Sequence, residues 1–375
     1  MSLLEPRLRR NIDWILLLSV FLLMAMSLLS IRLATLDQSN SWLVVLRQGL
    51  YFGIGLGLMA LFATRDYTTF GRFSPILYTI NLLLLLWVLL FSPEIKGSTR
   101  WIPLPIPGMD FKLQPSEFSK IITIITLSSY VARLGTRIQR FPYLLLTLVH
   151  VIVPMVLIMK QPDLGTSLVL AAIWTAIVFL GGADWRHLAL LTAAAVGLAC
   201  FAWFSGDLLL KPYQRNRVET FLDPTKDPRG KGYHVLQSMK AIGSGQTTGQ
   251  GLGKGIMTNL DYVPENDTDF IFTVVGEEGG FVGSVILLSV YALFFSRGLL
   301  IIASSEDPAG RLMAGGCLIV FAFHMLVNLG MTMGIMPVVG VPLPLMSFGG
   351  SATWANLMKI GLLLSIGMRR HKLQF

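Results

Sequence analysis

Long apolar runs broken by polar stretches of unequal length set the pattern of this chain. The first run, Trp14–Ala34, follows Arg7, Arg9 and Arg10, and no small-residue cleavage site comes after it. It therefore reads as a retained helix and not as a removed signal peptide. Further runs of roughly 20 residues, the length a hydrocarbon core demands, begin near Leu43, Phe73, Ser116, Pro142, Gly165, His187, Phe270, Pro308 and Gly349. Together these predict ten membrane-crossing helices.

The polar connections alternate in character. Arg65 and Arg72, then Arg133, Arg137 and Arg140, then Arg186, Arg297 and Arg311, and last Arg369, Arg370 and Lys372 fall on the side of the N-terminus, in short loops. The positive-inside rule makes that side cytoplasmic and places both termini there. The opposite face receives 36–42, 92–115, 160–164, 205–269 and 334–348, several of them long and rich in Pro and Gly, and function is expected on that face. The fold class expected is an all-α polytopic membrane protein, one membrane domain over 1–375. Its large extracytoplasmic loop, 205–269, joins helices 7 and 8. The inverted repeats of many transporters are not evident. The one local echo, Gln114-Pro115-Ser116-Glu117 against Gln161-Pro162-Asp163, is helix-start chemistry repeated.

Composition agrees with the pattern: 53% of the 375 residues are hydrophobic and 14% charged. A net charge of +9 could suggest nucleic acid, but the charge sits in short loops between spans, which is topology. Cys200 and Cys317 lie far apart inside apolar runs and read as two buried thiols, not as a disulfide or metal pair. The five histidines show no HExxH spacing.

Candidate chemistry gathers in DYVPENDTDFIFTVVGEEGG. Asp261, Glu265, Asp267 and Asp269 crowd its front, and Glu277 and Glu278 lie just past the expected start of the eighth span. Ionisable groups at membrane depth are functional hypotheses by default. A helix starting near Asp269 would put Thr273 and Glu277 on its face and turn Glu278 away. Arg47, inside the second span, either faces the bundle interior or snorkels to the outer interface. Lys96, Arg100 and Lys120 bracket the 92–115 loop. Glu117 and Lys120, at i and i+3, either pair with each other or join the helix N-terminus in holding a phosphate. Asp163 suits a helix start. Tyr233 to Ile242 has the spacing of an interfacial helix. GSGQTTGQGLGKG lacks the GxxxxGK[ST] order of a phosphate loop and reads as irregular backbone making a close approach. The segment 334–348, with Pro337, Pro342 and Pro344, cannot be one helix. It is expected to line the same cavity as Asp269 through Ser347, a structural re-entrant loop being the alternative.

GSTRWIPL, QPSEFSK, QPDLGTSL, YQRNRV, GSGQTTGQGLGKG, VPENDTDFIFTVVGEEGG and NLGMTMGIMPVVGVPLPLMSFGGS occur in this order over residues 97–353. In them the chain resembles the SEDS family, and through TTGQG its elongation type more than its division type. The Asn266-Asp267 pair departs from related chains and sets an extra acid beside Asp269. The resemblance implies a peptidoglycan glycosyltransferase on the outer face of the bacterial inner membrane. Its substrates are lipid II (a disaccharide-pentapeptide on undecaprenyl pyrophosphate) and the growing glycan strand, and its partner a class B penicillin-binding protein. It further implies Asp269 as the essential acid, Arg100, Glu117, Lys120, Asp163 and Ser347 as cavity positions, and Arg47, Arg215 and Arg217 as further substrate contacts. A divalent cation, Mg or Mn, with Asp269 as a possible ligand, and no organic cofactor complete the expectation. The residues suit such chemistry, since a shielded carboxylate among acids becomes a better base and cations can hold a diphosphate leaving group. The rival readings are a lipid II flippase and a non-catalytic scaffold of a cell-wall complex. The first is disfavoured by the missing repeats, and the second leaves the carboxylates without a role.

Overall fold

The structure is a computed structural model. It describes residues 11–369 other than 38–39, 95–97, 107–108, 206–211, 229 and 261, and for 104–106, 109–110 and 212–214 it describes the backbone alone. Asp261, Lys96 and the terminal Arg7, Arg9, Arg10, Arg370 and Lys372 lie outside the described residues.

Every expected apolar run is a helix. The first three are α1 (Trp14–Ala34), α2 (Ser41–Thr64) and α3 (Ser74–Phe91). After a β-hairpin come α4 (Pro115–Leu134), α5 (Phe141–Lys160), α6 (Leu164–Leu180) and α7 (Trp185–Phe204). The outer segment carries α8 (Pro212–Leu222) and α9 (Lys231–Ser244), and the chain ends with α10 (Ile271–Ser304), α11 (Pro308–Thr332) and α12 (Gly350–Met368). Eight of these are long and apolar enough to cross a membrane: α1 to α5, α7, α10 and α11. α6, at 17 residues, is apolar but shorter, and α12 is almost wholly buried in the bundle. Local chemistry sets the starts. Asp13, Asp163, Asp184 and Asp307 each accept an amide of the first turn, and Pro115, Pro142 and Pro308 sit where a missing N–H costs nothing.

The ends of the helices separate by chemistry. At one end Arg297 grips Asp13 at 2.8 Å, and Arg369 and Ser365 bond the carbonyls of Ala63, Thr64 and Arg65. The other end holds the hairpin, the outer segment and the proline-rich segment before α12. α4, α6, α11 and α12 carry the buried core. α7 has no buried side chain at all, so Cys200 on it is exposed, contrary to the expected buried thiol, while Cys317 is buried.

Two features of the outer end go beyond what the sequence led us to expect. The 92–115 loop contains an antiparallel hairpin, Ile102–Ile106 (β1) with Met109–Leu113 (β2), whose Phe111 stacks on Trp354 at 4.8 Å and meets Tyr51 at 5.7 Å. The eighth apolar run is helical from Ile271, close to the expected start, but not as one unbroken rod. α10 breaks at Gly280, where φ is 62°. Before the break nearly every residue is buried, and after it the side chains turn outward. Phe281 to Ser304 would span about 36 Å at 1.5 Å per residue, enough to cross alone. Main-chain bonds from the glycine-rich loop satisfy the break. Gln250 N and Gly251 N donate to Glu277 O and Glu278 O, and Phe281 N and Val282 N donate to Gln246 O and Thr247 O, all at 2.9 to 3.2 Å. A Cβ on Gly249 would lie 2.0 Å from Glu278 O, so glycine is what allows this approach, as the spacing predicted.

Candidate functional site

At the hairpin end a hollow of about 650 Å³ opens between α4, α6, α9, α11 and the non-helical segment before α12. Asp269 stands on its wall, half-buried, in the turn that leads into α10. Its backbone is held from two sides. Asn328 Nδ2 donates to Asp269 O at 2.8 Å, and the neighbouring Thr268 O accepts from Ser347 Oγ at 2.6 Å. Phe348 N donates to Asp267 O at 2.8 Å. Across from the carboxylate, Gly340 has φ +72°, and a Cβ there would sit 3.3 Å from Asp269 Oδ2. A side chain at Gly340 would be strained and would crowd the acid.

The electrostatics favour a base. Burial raises the Asp269 carboxyl above the ordinary range; Lys231 opposes this most, Glu265 adds to it, and Arg100 and Arg217 oppose it more weakly. Lys231, the first residue of α9, is pulled down from 10.5 to about 8 by burial and then by Arg217, with Asp269 pulling the other way. His234, one turn on, is also lowered by burial. A cation at a helix N-terminus opposes the macrodipole. Here it faces a carboxylate instead.

The other half of the wall is a set of pairs. Lys120 Nζ lies 2.6 Å from Glu117 Oε1 and 3.3 Å from His324 Nε2, and all three residues are buried. Glu117 and Lys120 therefore pair, as one of the two readings had it, and they do so on the wall of the hollow. Asp163 caps α6 through Thr166 N at 3.1 Å, accepts from Gln114 Nε2 at 3.1 Å and Ser116 Oγ at 3.3 Å, and faces Arg100 Nη1 at 3.8 Å.

The structure thus brings Arg100, Glu117, Lys120, Asp163, Arg217 and Asp269 to one hollow. Three expected residues are not among its lining. Ser347 is tied behind the wall, donating to Thr268 O and accepting from Leu343 N at 2.9 Å, so it shapes the turn that carries Asp269. Arg215 pairs with Glu219 at 2.9 Å on α8. Arg47 is partly exposed on α2, and among the described residues its Nε has no acceptor. Glu277 does not share a face of the hollow with Asp269. It accepts from Met257 N at 2.7 Å and Thr258 N at 2.9 Å, and Glu278 accepts from Gly253 N at 2.7 Å, so both acids anchor the outer loop. Lys112, Lys231, His234 and His324 are among the wall residues that sequence reasoning missed. For Lys231 the available signal was its unfavoured place at a helix start.

The donor set does not suit a resident divalent ion. Among the described residues no group of three His, Cys, Asp or Glu could hold a metal, and the nearest charged neighbours of Asp269 include Lys231, Arg217 and Arg100.

Comparison with known proteins gives a consistent picture. Residues 10–372 match the cell cycle protein family of FtsW, RodA and SpoVE. The peptidoglycan glycosyltransferase MrdB of Escherichia coli strain K12 is 39% identical over 320 residues, covering 85% of this chain and 84% of that protein. A chain from a peptidoglycan synthase complex, solved to explain how polymerization and crosslinking are coordinated, superimposes with a TM-score of 0.83 at 32% identity, covering 96% of this chain and 99% of that one. The rod shape determining protein RodA of Thermus thermophilus superimposes with a TM-score of 0.69 at 27% identity, covering 96% of this chain and 98% of that one.

Proposed function

Because this chain belongs to the FtsW/RodA/SpoVE family, the SEDS peptidoglycan glycosyltransferases, we propose that it polymerises lipid II into glycan strands during cell elongation, with Asp269 as general base. It is a multi-pass membrane enzyme. The elongation role is supported by the TTGQG stretch and by the likeness to a rod shape determining protein. The ten crossings of this proposal are the eight long apolar helices together with α6 and α12. With the arginine-rich end inside, the hollow faces the extracytoplasmic side of the bacterial inner membrane.

One observation carries the mechanism: a half-buried carboxylate, pushed toward neutrality by burial, stands beside Lys231, Arg217 and Arg100. A sugar hydroxyl oxygen attacks the anomeric carbon, and its proton passes to Asp269. The bond from that carbon to the diphosphate oxygen breaks, and the diphosphate leaves with the electron pair. Charge grows on that oxygen as the bond lengthens, and fixed cations in a site of low dielectric stabilise it there. A single displacement with one base inverts the anomeric centre. Glu117 and Lys120, already paired, brace the floor more than they bind. A divalent ion, in this proposal, belongs with the substrate, since diphosphate oxygens would have to supply most of its ligands. A class B penicillin-binding transpeptidase as partner is supported by the likeness to a chain of a synthase complex.

The test is reconstitution with labelled lipid II, scoring both glycan length and lipid translocation. Wild type is expected to build chains, and Asp269→Asn to lose roughly 10²- to 10⁴-fold in rate, the usual share of a general base. Translocation without chains would mark a flippase, and neither activity a scaffold. Normal polymerisation by a folded Asp269→Asn protein would remove Asp269 from the role of base.

A further inference from the structure

A second cavity, of about 300 Å³, lies against the hollow and shares Arg217, Lys231 and Val338 with it. α8 and α9 form one side through Asn216, Thr220, Phe221 and Val235, and Met336 and Pro337 form the other. Its shape is held from behind. Asp227 accepts from Gly230 N at 2.9 Å and Gly232 N at 3.3 Å, which closes the turn between α8 and α9. On the far side Gly334, at φ +73°, lies so close to Met239 that a Cβ there would meet its sulfur at 2.6 Å. The cavity is thus built by the fold and stands ready for an occupant.

The transfer reaction suggests which occupant. A sugar leaving a diphosphate has the diphosphate on one side of the reacting carbon and the rest of its saccharide on the other. The larger hollow holds the carboxylate and most of the cations, so it suits the diphosphate end. Past Arg217 and Lys231 the walls change to an aromatic face, apolar side chains, an amide and a hydroxyl, with the Asp227 carboxylate, already engaged by Gly230 N and Gly232 N, as the one acid among the described lining residues. Those are the groups that neutral pyranose rings use, their apolar faces against Phe221 and their hydroxyls toward Asn216 and Thr220. A polyprenyl tail fits less well, because it would strip water from two cations and an amide without replacing their hydrogen bonds. We propose that this cavity is a saccharide subsite for the growing glycan strand. The strand runs from its diphosphate in the hollow, over Arg217 and Lys231, into the smaller cavity. This rests on the glycosyltransferase reading above.

Hydrogen–deuterium exchange on the full chain in lipid nanodiscs tests it, with a chitotetraose (a neutral oligomer of N-acetylglucosamine without lipid or diphosphate) as probe. The sugar is expected to slow exchange around residues 216–235 and 334–338. Thr220→Trp, which fills the cavity, should raise the concentration needed about tenfold, a loss of ~1.4 kcal/mol. Phe221→Ala, the milder second variant, should act in the same direction. With lipid II both variants should yield shorter strands than wild type. Asp269→Asn should keep the sugar-dependent protection while losing polymerisation, which separates this subsite from the catalytic reading. A wild-type protein that makes no polymer defeats that reading. A wild type that polymerises but shows no protection by the sugar, or protection equal in Thr220→Trp and Phe221→Ala, defeats the subsite. Protection of the same segments by undecaprenyl phosphate in place of the sugar defeats it as well.

Discussion

Lys231 should impose an alkaline limit on the reaction. Its ammonium is drawn down to about 8, first by burial and then by Arg217, while Asp269 is raised by burial. The proposed mechanism needs Asp269 ionised and Lys231 charged. kcat/KM should therefore rise with pH as the carboxylate loses its proton, and fall above about 8 as the ammonium loses its own. Well past that point the charged fraction drops about tenfold for each pH unit, equivalent to ~1.4 kcal/mol of lost stabilisation per unit. Lys231→Arg keeps a positive charge at every accessible pH. It should erase the alkaline limb and leave the acid limb, whatever its absolute rate. Lys231→Met removes the largest influence holding the Asp269 carboxyl down, so the acid limb should move to higher pH. Initial polymerisation rates on labelled lipid II, taken across the pH range for all three proteins, provide the measurement. An alkaline limb unchanged near pH 8 in Lys231→Arg, or an unmoved acid limb in Lys231→Met, would refute the reasoning.

Two further outcomes follow from the packing. Lys120→Met leaves Glu117 buried without its partner and should cost ~3–5 kcal/mol of stability, most of it restored when Glu117→Gln is added; thermal unfolding in detergent reads both. Gly249→Ala must hold φ near +80° with its Cβ 2.0 Å from Glu278 O, so it should unfold earlier and lose polymerisation. Gly279→Ala, with open space at its Cβ, should cost little by the same two assays.

Much of this architecture is legible in the sequence because the bilayer enforces it. A chain cannot leave peptide groups unpaired in hydrocarbon, so each long apolar run from Trp14 to Met368 had to be a helix. The approach of the glycine-rich loop to another backbone was also readable, since GSGQTTGQGLGKG has few side chains to obstruct it. The role of Glu277 was not. Its place after an apolar stretch suggested an acid inside the membrane, but Glu277 and Glu278 lie before the break at Gly280, where they accept amides of the outer loop. That break depends on partners tens of residues away in sequence, Gln246 to Gly251, beyond the reach of helical periodicity. The hairpin was missed for a related reason: Pro103 and Pro105 argue against a strand, yet packing of Phe111 on Tyr51 and Trp354 secures it. Lys231 was passed over inside a segment of balanced charge, because only the folded chain brings it beside Asp269.

The seam between the glycine loop and the break in α10 is sewn twice, once by peptide groups and once by the carboxylates of Glu277 and Glu278. On the loop's side the bonds are made by its backbone, so most of its side chains can drift, and the seam opens either by an added Cβ on the loop or by loss of one of the two carboxylates. Loop and rod should melt as a single unit.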